Sequence, residues 1–192
     1  MTAIIAQMRT RFNEATGAVR VITFLSPTCG PCRYGQGVVR ALFDEFPGAD
    51  LAGFIVWVPM LPADNSAAAT FEQRAITDPR LHCWFDADKA AANTWSSFIS
   101  LPFTTWDVYA VYDATATWAD EAPPPTRIWM HQLPPTPATQ VVDRLDPARL
   151  ARDWLSLLGG EASRSAELAA KLQLNGRAVS ERDDSAASGL DG

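Results

Sequence analysis

Two cysteines separated by two residues carry the clearest chemical signal in the sequence. Cys29 and Cys32 flank Gly30 and Pro31, and the four residues join an apolar, β-branched segment to an amphipathic one. This spacing is typical of reversible disulfide chemistry or, with further ligands, of metal binding. Unpaired N–H groups in the first turn of a helix stabilise a nearby thiolate. We therefore expect Cys29 to be the nucleophile, with a pKa below that of a free cysteine.

The neighbouring residues fit the same chemistry. Cys32 follows one helical turn later and is predicted to displace the product from a mixed disulfide. Gly30 permits the close approach of a substrate chain, and Pro31 suits the first turn of a helix. Arg33 adds a positive charge next to the pair. The third cysteine, Cys83, lies in a short apolar segment, which favours a packing role over a redox role.

The elements that must position the pair are predicted from the spacing of apolar residues, in the order α, β, α, β, α, β, α, β, β, α. The predicted strands cover residues 18–25, 51–58, 81–85, 106–112 and 127–133, and the predicted helices cover residues 2–14, the stretch from Pro31 to Phe46, 67–76, the stretch after Asp86 and 147–158. Alternating strands and helices predict parallel neighbours, whereas the closing β-β-α unit predicts an antiparallel edge. Residues 1–160 are expected to form one domain. Residues 161–192, rich in Ala, Ser, Gly and charge, are expected to form a loosely helical to disordered tail.

A strand followed by Cys29-Gly30-Pro31-Cys32 and an amphipathic helix resembles thioredoxin, and the extra strand and helix within residues 81–100 resemble its redoxin branch. The resemblance covers roughly residues 16–158, but only the cysteine motif is specific. It implies an α/β fold, a thioredoxin-like three-layer α/β/α sandwich with a mixed central sheet and a redoxin-type β-α insertion. It also implies a thiol–disulfide oxidoreductase of the protein disulfide reductase type that needs no bound cofactor. The expected partners are protein or small-molecule disulfides and an electron-donating reductase.

The sequence departs from the thioredoxin pattern at two places. Thr23 stands where thioredoxin has a buried acid, so no carboxylate is expected near Cys32. The cis-proline that faces the cysteines in that family has two candidate positions. The strand count favours Thr105-Trp106-Asp107, which contains no proline and is slightly preferred, whereas the local sequence favours Pro125-Thr126. The residues expected at the substrate groove are Thr28, Arg33, Trp106 and Pro125.

Two other functions fit parts of the sequence. A metal-binding or chaperone module could use the two cysteines with the distant His131 or His82, but a second cysteine pair is absent and no metal site is expected. Copper chaperones that resemble this fold usually have three residues between their cysteines. A thiol peroxidase resembling the peroxiredoxins would have proline and a serine or threonine at set positions before the first cysteine. Ser26 meets the second condition, whereas Ile22 fails the first.

Composition narrows the remaining classes. The chain of 192 residues has a net charge of −6, which argues against a nucleic-acid partner, and 47% hydrophobic residues, which is enough for an ordinary core. Its first residues do not resemble a secretory signal, and no apolar stretch has the length of a membrane-spanning helix. We therefore expect a cytoplasmic protein with no membrane partner, in a compartment where thiols stay reduced.

Overall fold

The computed structural model describes residues 1–133, 135, 139 and 143–181, and the architecture below refers to them. The α-helices are α1 (Ala3–Glu14), α2 (Gly30–Glu45), α3 (Ser66–Arg74), α4 (Ala90–Phe98), α5 (Pro147–Leu157) and α6 (Ser165–Ser180), with a 3-10 turn at Ala162–Arg164 before the last. The strands are β1 (Val19–Leu25), β2 (Leu51–Trp57), β3 (Leu81–Phe85), β4 (Val108–Tyr112), β5 (Ile128–His131) and β6 (Asp143–Arg144). Each predicted element is present within a few residues of its expected bounds, and the two-residue strand β6 is an addition.

The strands form one mixed sheet in the order β3-β2-β1-β4-β5-β6. Strands β1, β2 and β3 are parallel neighbours, whereas β4 runs antiparallel to both β1 and β5. Strand β1 is therefore central, and all seven of its residues are buried. This arrangement confirms the predicted parallel half and antiparallel edge.

Helices cover both faces of the sheet, so the predicted three-layer sandwich is confirmed. One face packs against α2, α5 and α6, through residues such as Leu42, Trp154 and Leu172. The other face packs against α1 and α4, through residues such as Phe12 and Trp95. Alternate side chains of the central strands point to opposite faces, and because helices cover both faces the strands β1, β2 and β4 are buried along their whole length.

The predicted extra strand and helix are present as β3 and α4. The Asp86 carboxylate accepts hydrogen bonds from the backbone N–H groups of Ala91 and Ala92, at 3.2 and 2.8 Å, and so serves the helix start as predicted. Lys89 adopts a left-handed conformation (φ 60°) directly before the first helical residue. This insertion adds the edge strand β3 and places α4 over the face that α1 also covers.

The packing does not end at the expected domain boundary of residue 160. Helix α6 is regular over sixteen residues and buries Leu168, Leu172 and Val179 against the core. Its close approach to α2 depends on glycine, because a Cβ atom on Gly37 would lie 2.6 Å from the carbonyl oxygen of Asn175. Small residues thus supply close contact where large apolar residues are scarce, and composition alone misses it. Residues 182–192 of the predicted tail lie outside the described residues.

Membrane insertion has no candidate among these helices. In the part of the chain that the structure describes, none is both long and apolar enough to cross a bilayer.

Candidate active site

The cysteine pair lies where the central strand passes into helix α2. Cys29 is the residue directly before the helix and Pro31 lies in its first turn. Both cysteines are free, and their side chains differ in access because Cys29 is 6% exposed and Cys32 is 0% exposed. Cys29 is therefore the more exposed residue of the pair, and its role as nucleophile stays a prediction.

The two sulfur atoms interact and have unlike acidities. A hydrogen bond from the Cys32 thiol lowers the pKa of Cys29 below the ordinary cysteine value, against the opposing effect of burial. Burial raises the pKa of Cys32 well above that value, and the neighbouring Cys29 and Asp107 act in the same direction. The pair therefore consists of one sulfur suited to attack and one that keeps its proton.

The segment opposite the pair is set by strand β4. Because β4 runs antiparallel to β1, with Val108 opposite Phe24, the residue just before β4 reaches the end of β1 that leads to the cysteines. That residue is Asp107, as the preferred of the two placements predicts. None of the peptide bonds in the described ranges is cis. The cysteine pair thus lies at the start of α2, the helix that follows the central strand β1. On one side of β1 lies β4, which runs antiparallel to β1. The chain has a thioredoxin-like fold.

The other candidate placement is not at the site of this thioredoxin-like protein. Pro125 precedes β5, whose first residue, Ile128, pairs with Val111, and Val111 in turn pairs with Val21 near the start of β1. Pro125 therefore lies at the opposite end of the sheet from the cysteines. The Pro-Thr pair resembles the family motif locally, but strand order decides which segment meets the pair.

Asp107 is held in place on several sides. Asp107 is only 2% exposed, and its backbone is left-handed, with a φ of 52° that is uncommon for residues other than glycine. Its Oδ1 atom accepts hydrogen bonds from the Tyr109 hydroxyl at 2.8 Å and from Nε2 of Gln132 at 3.0 Å. The same Nε2 atom contacts the carbonyl oxygen of Pro31 at 2.7 Å, which ties this group to the cysteine motif.

The position of Asp107 corrects the expectation that no carboxylate lies near Cys32. One carboxylate oxygen of Asp107 and the sulfur atoms of Cys29 and Cys32 all lie within 4.8 Å of one another. Burial raises the pKa of Asp107 above the ordinary aspartate value, although its hydrogen bonds from Tyr109 and Gln132 act to lower it. A buried acid is thus absent at position 23 but present at Asp107, in the segment directly before β4.

The loop before the pair is organised by a second carboxylate, Asp64. Its oxygens accept hydrogen bonds from the hydroxyls of Ser26 and Thr28, both at 2.7 Å, and from the backbone N–H of Thr28 at 3.0 Å. The backbone N–H groups of Met60 and Leu61 donate to it as well, each at 2.7 Å. Burial acts to raise the pKa of Asp64, but these hydrogen bonds outweigh it and the pKa is lowered. An ionised carboxylate therefore ties the loop after β2 to the loop that carries the cysteines.

The remaining predicted groove residues are placed as follows. Thr28 lies in the loop that Asp64 holds. Arg33 is 4% exposed and its Nε atom forms an ion pair with Glu72 at 3.1 Å, so its charge is committed to α3. Trp106 directly precedes Asp107, is half-buried and packs against the apolar cores on both faces of the sheet. Thr28 and Trp106 therefore lie in the two segments that flank the pair, whereas the charge of Arg33 is directed toward Glu72.

The histidines and the third cysteine have no place in this cluster. His131 is a buried strand residue whose ring nitrogens contact the carbonyl oxygen of Thr139 and the backbone N–H of Leu133, each at 3.0 Å. His82 and Cys83 are on β3, at the far edge of the sheet. Burial raises the pKa of Cys83 to about 12, so this residue carries little thiolate at neutral pH. Cys83 is half-buried rather than fully buried.

Sequence reasoning missed the roles of Asp64, Asp107, Tyr109 and Gln132. Asp107 was placed correctly opposite the pair, and its position alone was the available signal. The partners of Asp64 in the cysteine loop are 36 and 38 residues away along the chain, a separation at which no local pattern indicates contact. Glycine gives one further signal, because Gly35 leaves the space that the Tyr109 hydroxyl occupies.

Comparisons with known proteins yield distant similarities in structure only. No protein-family model and no curated protein matches the sequence. A candidate thioredoxin from Neisseria meningitidis has 12% identity and a TM-score of 0.49, over 80% of this chain and 83% of its own. A thioredoxin-like protein in the oxidised form has 16% identity and a TM-score of 0.49, over 79% and 85%. The MTB dsbF protein has 19% identity and a TM-score of 0.40, over 54% and 68%. Similarities of this order say nothing about substrate or activity.

Proposed function

We propose that this protein is a thiol–disulfide oxidoreductase that works as a disulfide reductase through Cys29 and Cys32. The observation that carries the proposal is the pair itself. Cys29 stands at the start of a helix with a pKa lowered by the thiol of Cys32, and Cys32 is buried directly behind it. Nucleophile and resolving thiol are therefore already in contact, as a dithiol cycle requires.

The cycle has two exchange steps. In the first, the Cys29 thiolate attacks one sulfur of a substrate disulfide, so that a mixed disulfide forms and the other substrate sulfur leaves as a thiolate. In the second, Cys32 loses its proton and attacks Cys29, which releases the remaining substrate thiolate and leaves a Cys29–Cys32 disulfide. The substrate gains two electrons and the protein loses two. An electron-donating reductase would return the protein to its dithiol form.

The surroundings of the pair support reduction as the direction of electron flow. A dithiol is a strong oxidant in its disulfide form when its reduced form is especially stabilised. Here the negative charge of Asp107 acts to raise the pKa of both cysteines, and Cys32 lies well above its ordinary value. The Cys32 thiol stabilises the Cys29 thiolate, whereas burial and Asp107 disfavour ionisation of Cys32. We propose that the second effect dominates and that electrons pass to the substrate. Cytoplasmic location, where thiols remain reduced, stays a prediction from the sequence.

The proposal is tested by reduction of insulin with dithiothreitol as the electron source. We expect the wild type to accelerate insulin precipitation, and Cys29→Ser to be inactive because it lacks the attacking sulfur. Cys32→Ser should retain the first step and accumulate mixed disulfides, which are visible by mass spectrometry. Cys83→Ser is the matched control and should behave as the wild type. An active Cys29→Ser protein, or mixed disulfides trapped by that variant, would contradict the assignment of the nucleophile.

A further inference from the structure

The two thiols and the carboxylate at the site suggest a binding capacity that disulfide exchange does not require. The Sγ atoms of Cys29 and Cys32 and one carboxylate oxygen of Asp107 lie within 4.8 Å of one another, and all three residues are buried. We propose that the reduced protein binds one zinc-type divalent cation between these three side chains. The inference does not rest on the proposed reductase activity, since it needs only the two reduced thiols and the carboxylate.

The types of ligand suit such an ion. Zinc binds thiolate sulfur at about 2.3 Å and carboxylate oxygen at about 2.0 Å, usually with four ligands. Ligand atoms around one ion are then separated by less than about 4.6 Å, so small side-chain shifts would bring the three atoms of this site into coordination. Two sulfurs and one oxygen leave a fourth position for water. The ion would be a soft, thiophilic one, because two of its three ligands are sulfur.

The carboxylate is prepared for binding by the groups around it. The Tyr109 hydroxyl and Nε2 of Gln132 both donate to Oδ1 of Asp107, so two hydrogen bonds hold the carboxylate in a fixed orientation. Partners of this kind fix the orientation of a metal ligand. The left-handed backbone of Asp107 is strained for a residue with a side chain, and such strain persists where the surroundings hold it, often at a ligand-binding position.

Charge also favours a cation here. Two sulfurs and a carboxylate converge in a buried space, where ionisation of all three groups without a counter-ion would place like charges close together. A divalent cation offsets this repulsion. Binding transfers no electrons: any protons still on the sulfurs pass to solvent as the ion takes their place. The disulfide form cannot bind in this way, because its sulfurs are bonded to each other.

Cobalt(II) is the probe, added to the full-length reduced protein without oxygen. We expect thiolate-to-cobalt charge-transfer and tetrahedral ligand-field bands that saturate at one ion per chain and disappear when zinc is added. Cys29→Ser should abolish the bands, and Asp107→Asn should weaken binding, because a neutral amide oxygen replaces the carboxylate. Cys83→Ser, the control, should bind as the wild type. No bands in the wild type, equal affinity in Asp107→Asn, or loss of binding in Cys83→Ser would each overturn the proposal.

X-ray absorption spectroscopy of the zinc-loaded wild type gives a measurement that needs no variant. Two sulfur neighbours at about 2.3 Å with oxygen neighbours at about 2.0 Å are expected. Four sulfur neighbours would mean that two chains share one ion, which would overturn the proposed site. Insulin reduction by the same protein without metal tests the dithiol separately. Metal binding can thus fail while the reductase activity stands, and the reverse.

Discussion

Two carboxylates flank the cysteine pair, and their surroundings give them opposite properties. Asp64 accepts five hydrogen bonds from the loops on either side of it, which lower its pKa. Asp107 is more deeply buried and accepts hydrogen bonds from Tyr109 and Gln132, and burial raises its pKa. The carboxylate of Asp64 is thus a stable anion that holds a loop. The carboxylate of Asp107, beside the two sulfurs, loses its proton less readily.

The largest effect is expected on the Asp64 side. Asp64→Ala removes the acceptor from three backbone N–H groups and two hydroxyls at once, and we expect the free energy of unfolding to fall by roughly 2–4 kcal/mol. Denaturant unfolding followed by tryptophan fluorescence would measure it. Asp120→Ala, at an exposed position, is the control and should stay within about 0.5 kcal/mol of the wild type. Equal losses in the two variants would remove the contrast between the carboxylates.

The Asp64 contribution should also depend on pH in a defined direction. Its folded-state pKa is lowered, so the stabilisation is fully present above the unfolded value of about 3.9 and is lost as the pH falls through the folded value. The difference in stability between the wild type and Asp64→Ala should therefore shrink in acid. A difference that is constant from neutral to strongly acidic pH would show that the charge of Asp64 is not what holds the loop.

The second effect probes the support of Asp107 without changing the carboxylate. A Cβ atom on Gly35 would lie 1.7 Å from the Tyr109 hydroxyl oxygen, so Gly35→Ala must displace that ring and its hydrogen bond to Asp107. We expect a loss of roughly 1–3 kcal/mol in the free energy of unfolding, typical of overpacking. Gly48→Ala is the matched control, since a Cβ there meets nothing within 4 Å. If both variants unfold alike, Tyr109 has room to move and Asp107 is less constrained than its contacts indicate.

The third effect is smaller and has the opposite sign. Asp107→Asn removes a buried charge and keeps an oxygen that can accept from Tyr109 and Gln132. At pH values above the folded-state pKa of Asp107, the melting temperature should therefore rise by a few degrees. Because that pKa is raised, the gain should fade as the pH falls through the folded-state value and should vanish below about 3.9, where the carboxyl is protonated in both the folded and unfolded states. Calorimetry across this range measures it.

The same variant has a second readout at the sulfurs. Loss of the negative charge should lower the pKa of Cys32, since Asp107 acts to raise it. Thiolate absorbance followed against pH would detect the change. An unchanged titration would mean that the Asp107 charge does not reach the pair.

The smallest effect is expected at Thr23, the position at which thioredoxin has its acid. Thr23 is fully buried, and its hydroxyl has no hydrogen-bond partner within the described residues. Thr23→Val keeps the shape and removes an unsatisfied polar group, so stability should change by less than about 1 kcal/mol, toward greater stability. Insulin reduction should be unchanged. A large loss of activity in Thr23→Val, with none in Asp107→Asn, would reverse the roles assigned to the two positions.

The sequence was sufficient for features that depend on local patterns. Apolar runs bounded by glycine and proline located the strands and helices, and the cysteine motif was correctly placed at a helix start. The antiparallel placement of residues 105–107 opposite the pair followed from counting strands. These features depend on residues that are near one another in the chain or on general rules of strand connection.

The rest of the site depends on contacts between distant segments. Asp64 directly precedes Asn65, the residue that caps α3. The carboxylate of Asp64 instead serves the cysteine loop. Arg33 was expected to act on the cysteines, but Glu72 from another helix engages it. Helix α6 was underestimated because glycine and alanine pack closely without raising hydrophobicity.

The packing of α6 on α2 has a consequence for how the protein is made. Helix α2 carries the cysteines and leaves the ribosome early, whereas α6 is the last helix among the described elements, and their contact is the most extensive between helices. Synthesis adds residues at roughly 5–20 per second. The nascent chain therefore presents a dithiol on a helix whose outer face stays uncovered until residues 165–180 have been translated. We expect oxidation, or exchange with disulfides of other proteins, to be fastest during that interval, before α6 closes over α2.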